Sequence, residues 1–391
     1  MQLNIYFKNV GQGDTLLLDW NPAFGAERDF GLIDCNLVDQ DIQPVIRHIE
    51  RENIRHFRFV LMSHPHWDHF SGFNQFLDYC EREKITIDRF FHTSSYDPNR
   101  MAATISGHTG KAKKEVIKEV ITSGVQKKVY KDELQALYEK LDRMHVQKKT
   151  ILERVSAISD DYQYGLGPDL VLKFLAPYNG DEIKQYLSKR WEWLYNNEMD
   201  EEVYRPLNIN DPVANLLSSV IQIYSERCHW QVLLNADCEK STLKRIVAEE
   251  MDRIRVNQVV AAQVPHHGSF YNHVEDFWSA VPNREKIPVF ISNGPGNRLP
   301  DVPVVQYFAL HYEAVHATNF GGGFRDYYKR PKGGGGKGKA TRTALQLARP
   351  RLGRRLSSGP GLATNPVCCE KHIRITYGDD CDPKCEVINI P

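Results

Sequence analysis

The chain has 391 residues, enough for one large domain or two smaller ones, and its 41% hydrophobic and 26% charged content is ordinary for a globular protein. Lysine plus arginine equals aspartate plus glutamate, 50 of each, so net charge selects no partner. No apolar run approaches the roughly 18 residues of a membrane span, the opening "MQLNIYFKNV" lacks a basic and then apolar signal pattern, and eight cysteines in this length make no disulfide scaffold. A chain outside the membrane, in a reducing cytoplasm, is the expectation. Cys35, Cys80, Cys228 and Cys238 read as buried small hydrophobes. Cys368, Cys369, Cys381 and Cys385 cluster near the end without a paired C-x-x-C, which makes a structural zinc there the minor reading.

In chain order, "LNIYFKNV", "DTLLLDW" and "FGLIDCN" read as three strands, the first two joined by a tight turn at Gly11 and Gly13. "DIQPVIRHIERENI" is helical, with Val45, Ile46 and Ile49 on one face. The strand "FRFVLMS" follows, then helical spacing in "GFNQFLDYCERE", then the strand "ITIDRFFHTS". Strands alternating with helices indicate a layered α/β fold. From 96 to 167 the texture changes to Lys, Glu and Gln, with Leu134, Leu137, Leu141, Met144, Ile151 and Val155 near helical spacing. One or two long amphipathic helices inserted in the core domain are expected there, as a solvated face over a packed stripe or as a lid or dimerisation hairpin.

Core texture resumes with "DLVLKFLAPYNG", is interrupted by the polar "YLSKRWEWLYNNEMDEE", and continues in "NLLSSVIQIYS", "WQVLLNAD", "VNQVVAAQVPHHGS" and "IPVFISNGPGN". Most of these apolar runs finish on a polar or ionisable residue, the place where layered α/β folds collect functional groups. No acidic residue occurs between Tyr327 and Cys369, while ten lysines and arginines lie between Lys329 and Arg355. This Gly-rich basic segment reads as a flexible linker or as an electrostatic arm for a polyanion. The strand "HIRITYG" then returns to the fold.

The densest signal is "SHPHWDHFSG", which puts His64, His66, Asp68 and His69 within six positions. Side chains at i and i+2 repeat on one face of an extended segment, so His64 and His66 can turn toward one ion. Asp68 and His69, on the turn entering a helix, are displaced enough to reach a second. Imidazole with carboxylate suits zinc, manganese or iron.

The pattern resembles the H-x-H-x-D-H signature of the metallo-β-lactamase superfamily. "NVGQGDTLLLD", "GLIDCN", "FLAP", "NLLSSVIQI", "LLNAD", "VPHHGS" and "SNGPGNRLPDVPV" are similar, in the same order, to the soluble hydrolase domain of ComEC-type competence proteins. The resemblance implies an αββα sandwich hydrolase domain over 1–95 and 168–325, and outside it lie the helical insertion at 96–167 and the basic Gly-rich segment with a closing strand at 326–391.

Carried over by position, His64 and His66 would bind a first metal and Asp68 and His69 a second, with Asp237 bridging. His266 or His267 would complete the second site, His266 being favoured because it follows directly on the strand. Asp34 and Asp14 would support the metal-bearing loops. Many superfamily members supply one more mid-chain histidine; of His92, His108 and His145, none has a convincing context, and Asn215 resembles the asparagine of ComEC-like members. One or two divalent ions, zinc or manganese, are therefore implied.

The implied mechanism follows from charge. A divalent ion lowers the pKa of a bound water from about 15.7 to about 7, so hydroxide is available at neutral pH. Asp68, Asp237 and His267 form the expected catalytic set, with Asn215, Ser269 and Asn297 on the substrate. The leading expectation is a phosphodiesterase or nuclease acting on nucleic acid or a nucleotide, with no membrane partner and with a protein partner or second copy reached through the helical insertion. The alternatives are hydrolysis of a small ester, lactone or lactam, or a non-catalytic binding module that retains the fold.

Overall fold

The computed structural model describes residues 2–21, 27–93, 128–155, 163–178, 214–294, 298–319, 370–378 and 380–390. The polar segment 186–202, the basic segment 329–355, Asn297, His108, Cys368 and Cys369 lie outside them. The strands are β1 (Gln2–Phe7), β2 (Leu16–Trp20), β3 (Asp29–Ile33), β4 (His56–Met62) and β5 (Thr86–His92). Then come β6 (Ile151–Arg154), β7 (Gln163–Gly165), β8 (Leu170–Ala176), β9 (Val220–Ser225) and β10 (Trp230–Leu234). The last five are β11 (Gln258–Gln263), β12 (Pro288–Ile291), β13 (Ala314–Ala317), β14 (Glu370–Thr376) and β15 (Lys384–Ile390). They form two sheets, of eight and seven strands, and with the helices make the mixed α/β class that the order of the sequence indicates. Among the described residues no helix is long and apolar enough to cross a membrane.

The chain divides into two compact units, one of Met1–Arg28, Gln163–Lys173 and Val220–Pro391, the other of Asp29–Tyr162 and Phe174–Ser219. In the first, β1 takes β2 on one edge and β14 on the other, both antiparallel, with β15 beyond β14. The β1–β2 turn uses two residues that only glycine holds without strain, Gly11 at φ +74° and Gly13 at φ +121°. A Cβ on Gly294 would collide with the backbone of Gly11 and Gln12, so this turn and the segment after β12 meet backbone to backbone. Strands β10 to β13 run parallel, and their short apolar runs ("VVAA", "PVFI") are buried throughout, as expected of strands covered on both faces. A disulfide joins Cys228, in the β9–β10 turn, to Cys381, between β14 and β15. Cys228 is therefore not the simple buried thiol expected, and Cys381 is not available to a zinc cluster. Cys35, Cys80 and Cys238 are free and buried, as expected.

In the second unit β3, β4, β5 and β6 lie side by side, all parallel. Helix Gln43–Glu52 buries Val45, His48 and Ile49; His48 takes the place expected of Ile46, which is half-buried. The helix stops at Asn53, which adopts the left-handed conformation that asparagine tolerates. Helix Phe73–Arg82 buries Phe73, Phe76, Leu77 and Cys80 on one stripe. Helix Lys128–Val146 buries Leu134, Leu137 and Leu141 as their spacing predicts. The helical reading fails at Ile151, which opens β6, paired in register with β5 through Arg89↔Ile151. A four-residue edge strand is too short to show a period, and apolar residues on either side imitated a helical one.

Candidate metal centre

In the second unit, β4 ends at Met62 and delivers Ser63 and His64, both fully buried. His66 is extended (φ −91°, ψ 149°) and caps the short helical turn Trp67–Phe70, which carries Asp68 and His69. The burial of Phe70 seats that turn, and the Gly72 N–H bonds to the Cys35 carbonyl at 2.7 Å. A Cβ at Gly72 would lie 2.7–2.9 Å from Ile42 and Cys35, so any side chain there would push the loop or its neighbours apart. His64 and His66 bring ring nitrogens within 4.8 Å of each other, and Asp68 and His69 do the same with an oxygen and a nitrogen.

Asp34 organises this loop from the end of β3. Its carboxylate accepts the Ser63 N–H at 2.7 Å, the Ser63 hydroxyl at 2.6 Å and the His69 Nδ1–H at 2.7 Å. Asp34 itself sits at φ +58°, a left-handed conformation that costs roughly 1–3 kcal/mol for a residue with a side chain. Complete burial pushes its carboxyl pKa up, and the imidazole and the two Ser63 bonds push it back down. Asp34 thus ties the end of β3 to the loop that carries His64 and His69. Ser63 and Ser218 were not singled out from sequence; Ser218 lies 3.4 Å from His64 Nδ1, at the end of the 3-10 turn Ala214–Leu217 that holds the buried Asn215.

In the first unit, Asp237 follows β10 through the turn Asn235–Ala236 and is buried. The side chain that fixes this turn is Gln263, the last residue of β11. Its Oε1 accepts the N–H groups of Asn235 and Ala236 at 3.1 and 3.2 Å, and its Nε2 donates to Asp14 Oδ2 at 2.7 Å. One buried amide thereby ties the "GQGD" loop to the "NAD" loop. The signal for Gln263 was present in the sequence, a polar residue closing the apolar run "VVAA", yet nothing local revealed its two partners.

The chain after β11 runs through His266 (φ +49°), His267 (φ +53°) and Gly268 (φ +80°), three successive left-handed residues. His267 is buried, its side chain 3% exposed, with Nε2 at 3.5 Å from Asp237 Oδ1 and Nδ1 at 3.9 Å from Asp14 Oδ1. His266 is 28% exposed, with Nε2 at 3.9 Å from Asp237 Oδ2. Ser269 is buried and donates its backbone N–H to the His266 carbonyl at 2.9 Å.

Hydrogen bonding sets the tautomers. A carboxylate or a carbonyl oxygen can only accept, so His69 donates through Nδ1 to Asp34, and His267 donates through Nδ1 to the Ser292 carbonyl at 2.8 Å. The Ser63 proton is directed to Asp34, which leaves Ser63 Oγ to accept from His64 Nδ1 at 3.1 Å. In each neutral ring the lone pair is then on Nε2, the state in which a histidine ligates a metal while its other nitrogen is anchored. His266 is the reverse case. The Asn272 amide nitrogen donates both to the Cys238 carbonyl (3.2 Å) and to His266 Nδ1 (2.6 Å), which leaves the proton of a neutral ring on Nε2. The sequence favoured His266 as a ligand; the left-handed turn leaves His266 the more exposed of the pair and directs the ring of His267, with the opposite tautomer, inward.

Of the candidates for an extra histidine, His92 stands edge-on to Tyr138 at 5.8 Å, and His145 accepts the Leu152 N–H at 3.1 Å. Neither belongs to a group of metal-ligating side chains among the described residues.

No protein-family model matches the chain, and no curated protein does. Similar solved structures include the metallo-β-lactamase fold protein YhfI from Bacillus subtilis, at 9% identity and TM-score 0.39 over 81% of this chain and 96% of that one. Another is a diphosphatase of the PhnP family, at 9% identity and TM-score 0.34 over 74% and 86%. A third is a B3 metallo-β-lactamase with an active-site glutamic acid, at 11% identity and TM-score 0.27 over 89% and 88%. Likenesses of that strength leave the functional reading to the side chains.

Proposed function

We propose that the chain is a metal-dependent hydrolase acting on phosphodiester bonds of nucleic acid or a nucleotide. The observation that carries the metal is the shared tautomer of His64, His69 and His267, each anchored through Nδ1 by a hydroxyl, a carboxylate or a carbonyl. Buried imidazole with a carboxylate, present in one unit as His69 with Asp68 and in the other as His267 with Asp237, is donor chemistry that fits zinc or manganese. The proposed ligands are His64, His66, Asp68, His69, Asp237 and His267, joined across the sequence on the strength of the H-x-H-x-D-H resemblance.

A divalent ion held by such a set supplies Lewis acidity and activates water at neutral pH. The protein's own part is to hold Nε2 lone pairs and carboxylate oxygens in place before the substrate arrives. His266, half-exposed and with its proton on Nε2, is assigned to the substrate side, where its Nε2–H can donate a hydrogen bond to the oxygen that gains negative charge. The preference for a phosphodiester rests on the basic composition of 329–355 and on the resemblance to ComEC-type domains.

The test is metal analysis of the purified protein, followed by assays with zinc and manganese on single-stranded DNA, duplex DNA, RNA, small phosphodiesters, a lactone and a lactam. Bound metal with cleavage of phosphodiesters alone, lost in Asp68→Ala and His69→Ala, is the expected result. Cleavage of only the lactone or lactam would refute the substrate class. Absence of metal, or turnover that survives both substitutions, would refute the mechanism.

A further inference from the structure

We infer that Phe270 and Tyr271 form an aromatic platform on which a base of the substrate stacks beside the proposed metal histidine, an inference that rests on the phosphodiester reading. The two rings follow immediately on "PHHGS", in the single 3-10 turn Phe270–Asn272. Phe270 is 55% exposed and Tyr271 83%. The other large apolar side chains exposed among the described residues, Val146, Ile151, Val256 and Leu310, are aliphatic and separate from one another along the chain. Isolated exposed aliphatics are ordinary on a protein surface, whereas two adjacent exposed aromatics on a fixed turn are not.

The backbone beneath them is held from several directions. The Phe270 N–H donates to Asp301 Oδ2 at 2.8 Å, and the Asp301 N–H donates back to the Gly268 carbonyl at 3.0 Å. Gly268 packs so closely that a Cβ on it would stand 2.6 Å from Pro300 Cβ. Asn272, the third residue of the turn, is buried, and its amide bonds to Cys238 O and to His266 Nδ1. The residues that carry the rings are thus tied to the same histidine loop as His266 and His267, while the rings themselves face water.

Such a turn sacrifices the burial of two aromatic side chains without gaining flexibility. The arrangement suits stacking, since a rigid, exposed ring loses little entropy when a flat partner covers it. A nucleotide is the partner whose chemistry fits. Its phosphate and its base are separated by one sugar, so a phosphate at His267 carries a π-face toward residues only a few positions further along the turn. Base–aromatic stacking is worth about 1–3 kcal/mol per base and tolerates any base, because each has a π-face. The platform therefore predicts selection for nucleotides over other phosphodiesters without a strong sequence preference.

The test is equilibrium binding by the full chain in buffer without added metal, read by fluorescence anisotropy. The probes are a fluorescein-labelled thymidine tetranucleotide and an abasic tetramer of the same length and charge. Wild type should bind the thymidine probe at least about fivefold more tightly than the abasic one. Tyr271→Ala and Phe270→Ala should each reduce that preference, the double variant should abolish it, and Tyr271→Trp should retain it. Equal binding of the two probes by wild type, no binding of either, or equal losses on both probes in the double variant would each overturn the platform. Cleavage assays separate the two readings. Base-dependent binding without hydrolysis of any phosphodiester leaves the platform standing and refutes the enzyme, while hydrolysis without base-dependent binding does the opposite.

Discussion

The two histidine-bearing regions are built by different means. Around His64–His69 the ligand-type side chains are crowded into six positions, and one carboxylate from far upstream, Asp34, fixes the loop by three hydrogen bonds. Around Asp237 and His267 the ligand-type residues are thirty positions apart, and their setting comes from a strand-end glutamine and from three successive left-handed residues. The first design places chemistry in the local sequence and support at a distance. The second places both at a distance, and puts part of its specification into backbone conformation, which sequence hardly displays.

The largest expected effect separates the members of the His266–His267 pair. His267→Ala should lower bound metal and reduce kcat/KM by at least about a hundredfold, beyond the usual range for outer partners of a ligand. His266→Ala should keep its metal and lose about a hundredfold in kcat, as for removal of a hydrogen-bond donor to a developing negative charge. Metal analysis decides: if His266→Ala is the variant that loses metal, the tautomer argument fails and the sequence-based preference is restored.

Next in size are the two supports. Asp34→Asn keeps the φ +58° backbone accessible, since asparagine tolerates the left-handed region. Its amide has one accepting oxygen where the carboxylate uses two, so either the Ser63 N–H or the Ser63 hydroxyl and His69 Nδ1–H lose their acceptor. A loss of about 10- to 100-fold in metal affinity is expected, with little change in fold. Gln263→Leu should act mainly on stability. It removes the acceptor of the buried Asn235 and Ala236 N–H groups and the donor to Asp14, each costing roughly 1–3 kcal/mol when left unmade. Gln263→Glu keeps the acceptor but sets a carboxylate against Asp14 in place of the amide donor, so it should recover little of that loss. Urea midpoints and metal titrations on the three variants measure the two effects. An Asp34→Asn protein with unchanged metal affinity would sink the claim that Asp34 acts through His69.

A smaller effect compares the glycines. A methyl at Gly72 meets Cys35 and Ile42, and one at Gly294 meets the backbone of Gly11 and Gln12. Each alanine variant should lose about 1–3 kcal/mol by urea denaturation, the range for overpacking. Gly294→Ala should lose more than Gly72→Ala, because backbone yields less readily than the Ile42 side chain. The opposite order would mean that the "GQGD" turn is the softer of the two loops.

The contrast between the regions also explains what was legible. Strand and helix alternation, the buried leucines of 128–146 and the H-x-H-x-D-H loop were readable because period and local density carry them. The short β6 was not, since four residues show no period. The Cys228–Cys381 bond was not, because its partners are 153 residues apart. The inward turn of His267 was not, because the two neighbouring histidines differ only in backbone angles and in which of them finds Ser292 or Asn272. Gln263 was visible as a polar residue at a strand end but could not be matched to Asp14 by anything nearby.

The smallest effect concerns pH, and it is read on two histidines of the unit that carries Asp237. Burial, helped by Lys371, pushes the His316 imidazole down to about 3, and burial, helped by Lys240, pushes His273 down to about 4. Both values are below the ordinary 6.5, so on acidification the unfolded chain takes up these protons before the folded one does. Their contribution to stability is complete above about pH 6.5 and falls as the pH drops toward 4 and then 3. For His316, which lies buried against Phe290 at a ring distance of 5.0 Å, the slope is at most about 1.4 kcal/mol per pH unit. The half-exposed His273 adds less. Urea midpoints of wild type should therefore decline between pH 6.5 and 4.5, and those of His316→Gln should decline less steeply from a lower starting point. His273→Gln should show the weaker flattening of the two. Parallel slopes in all three proteins would assign the acid sensitivity to groups other than these two histidines.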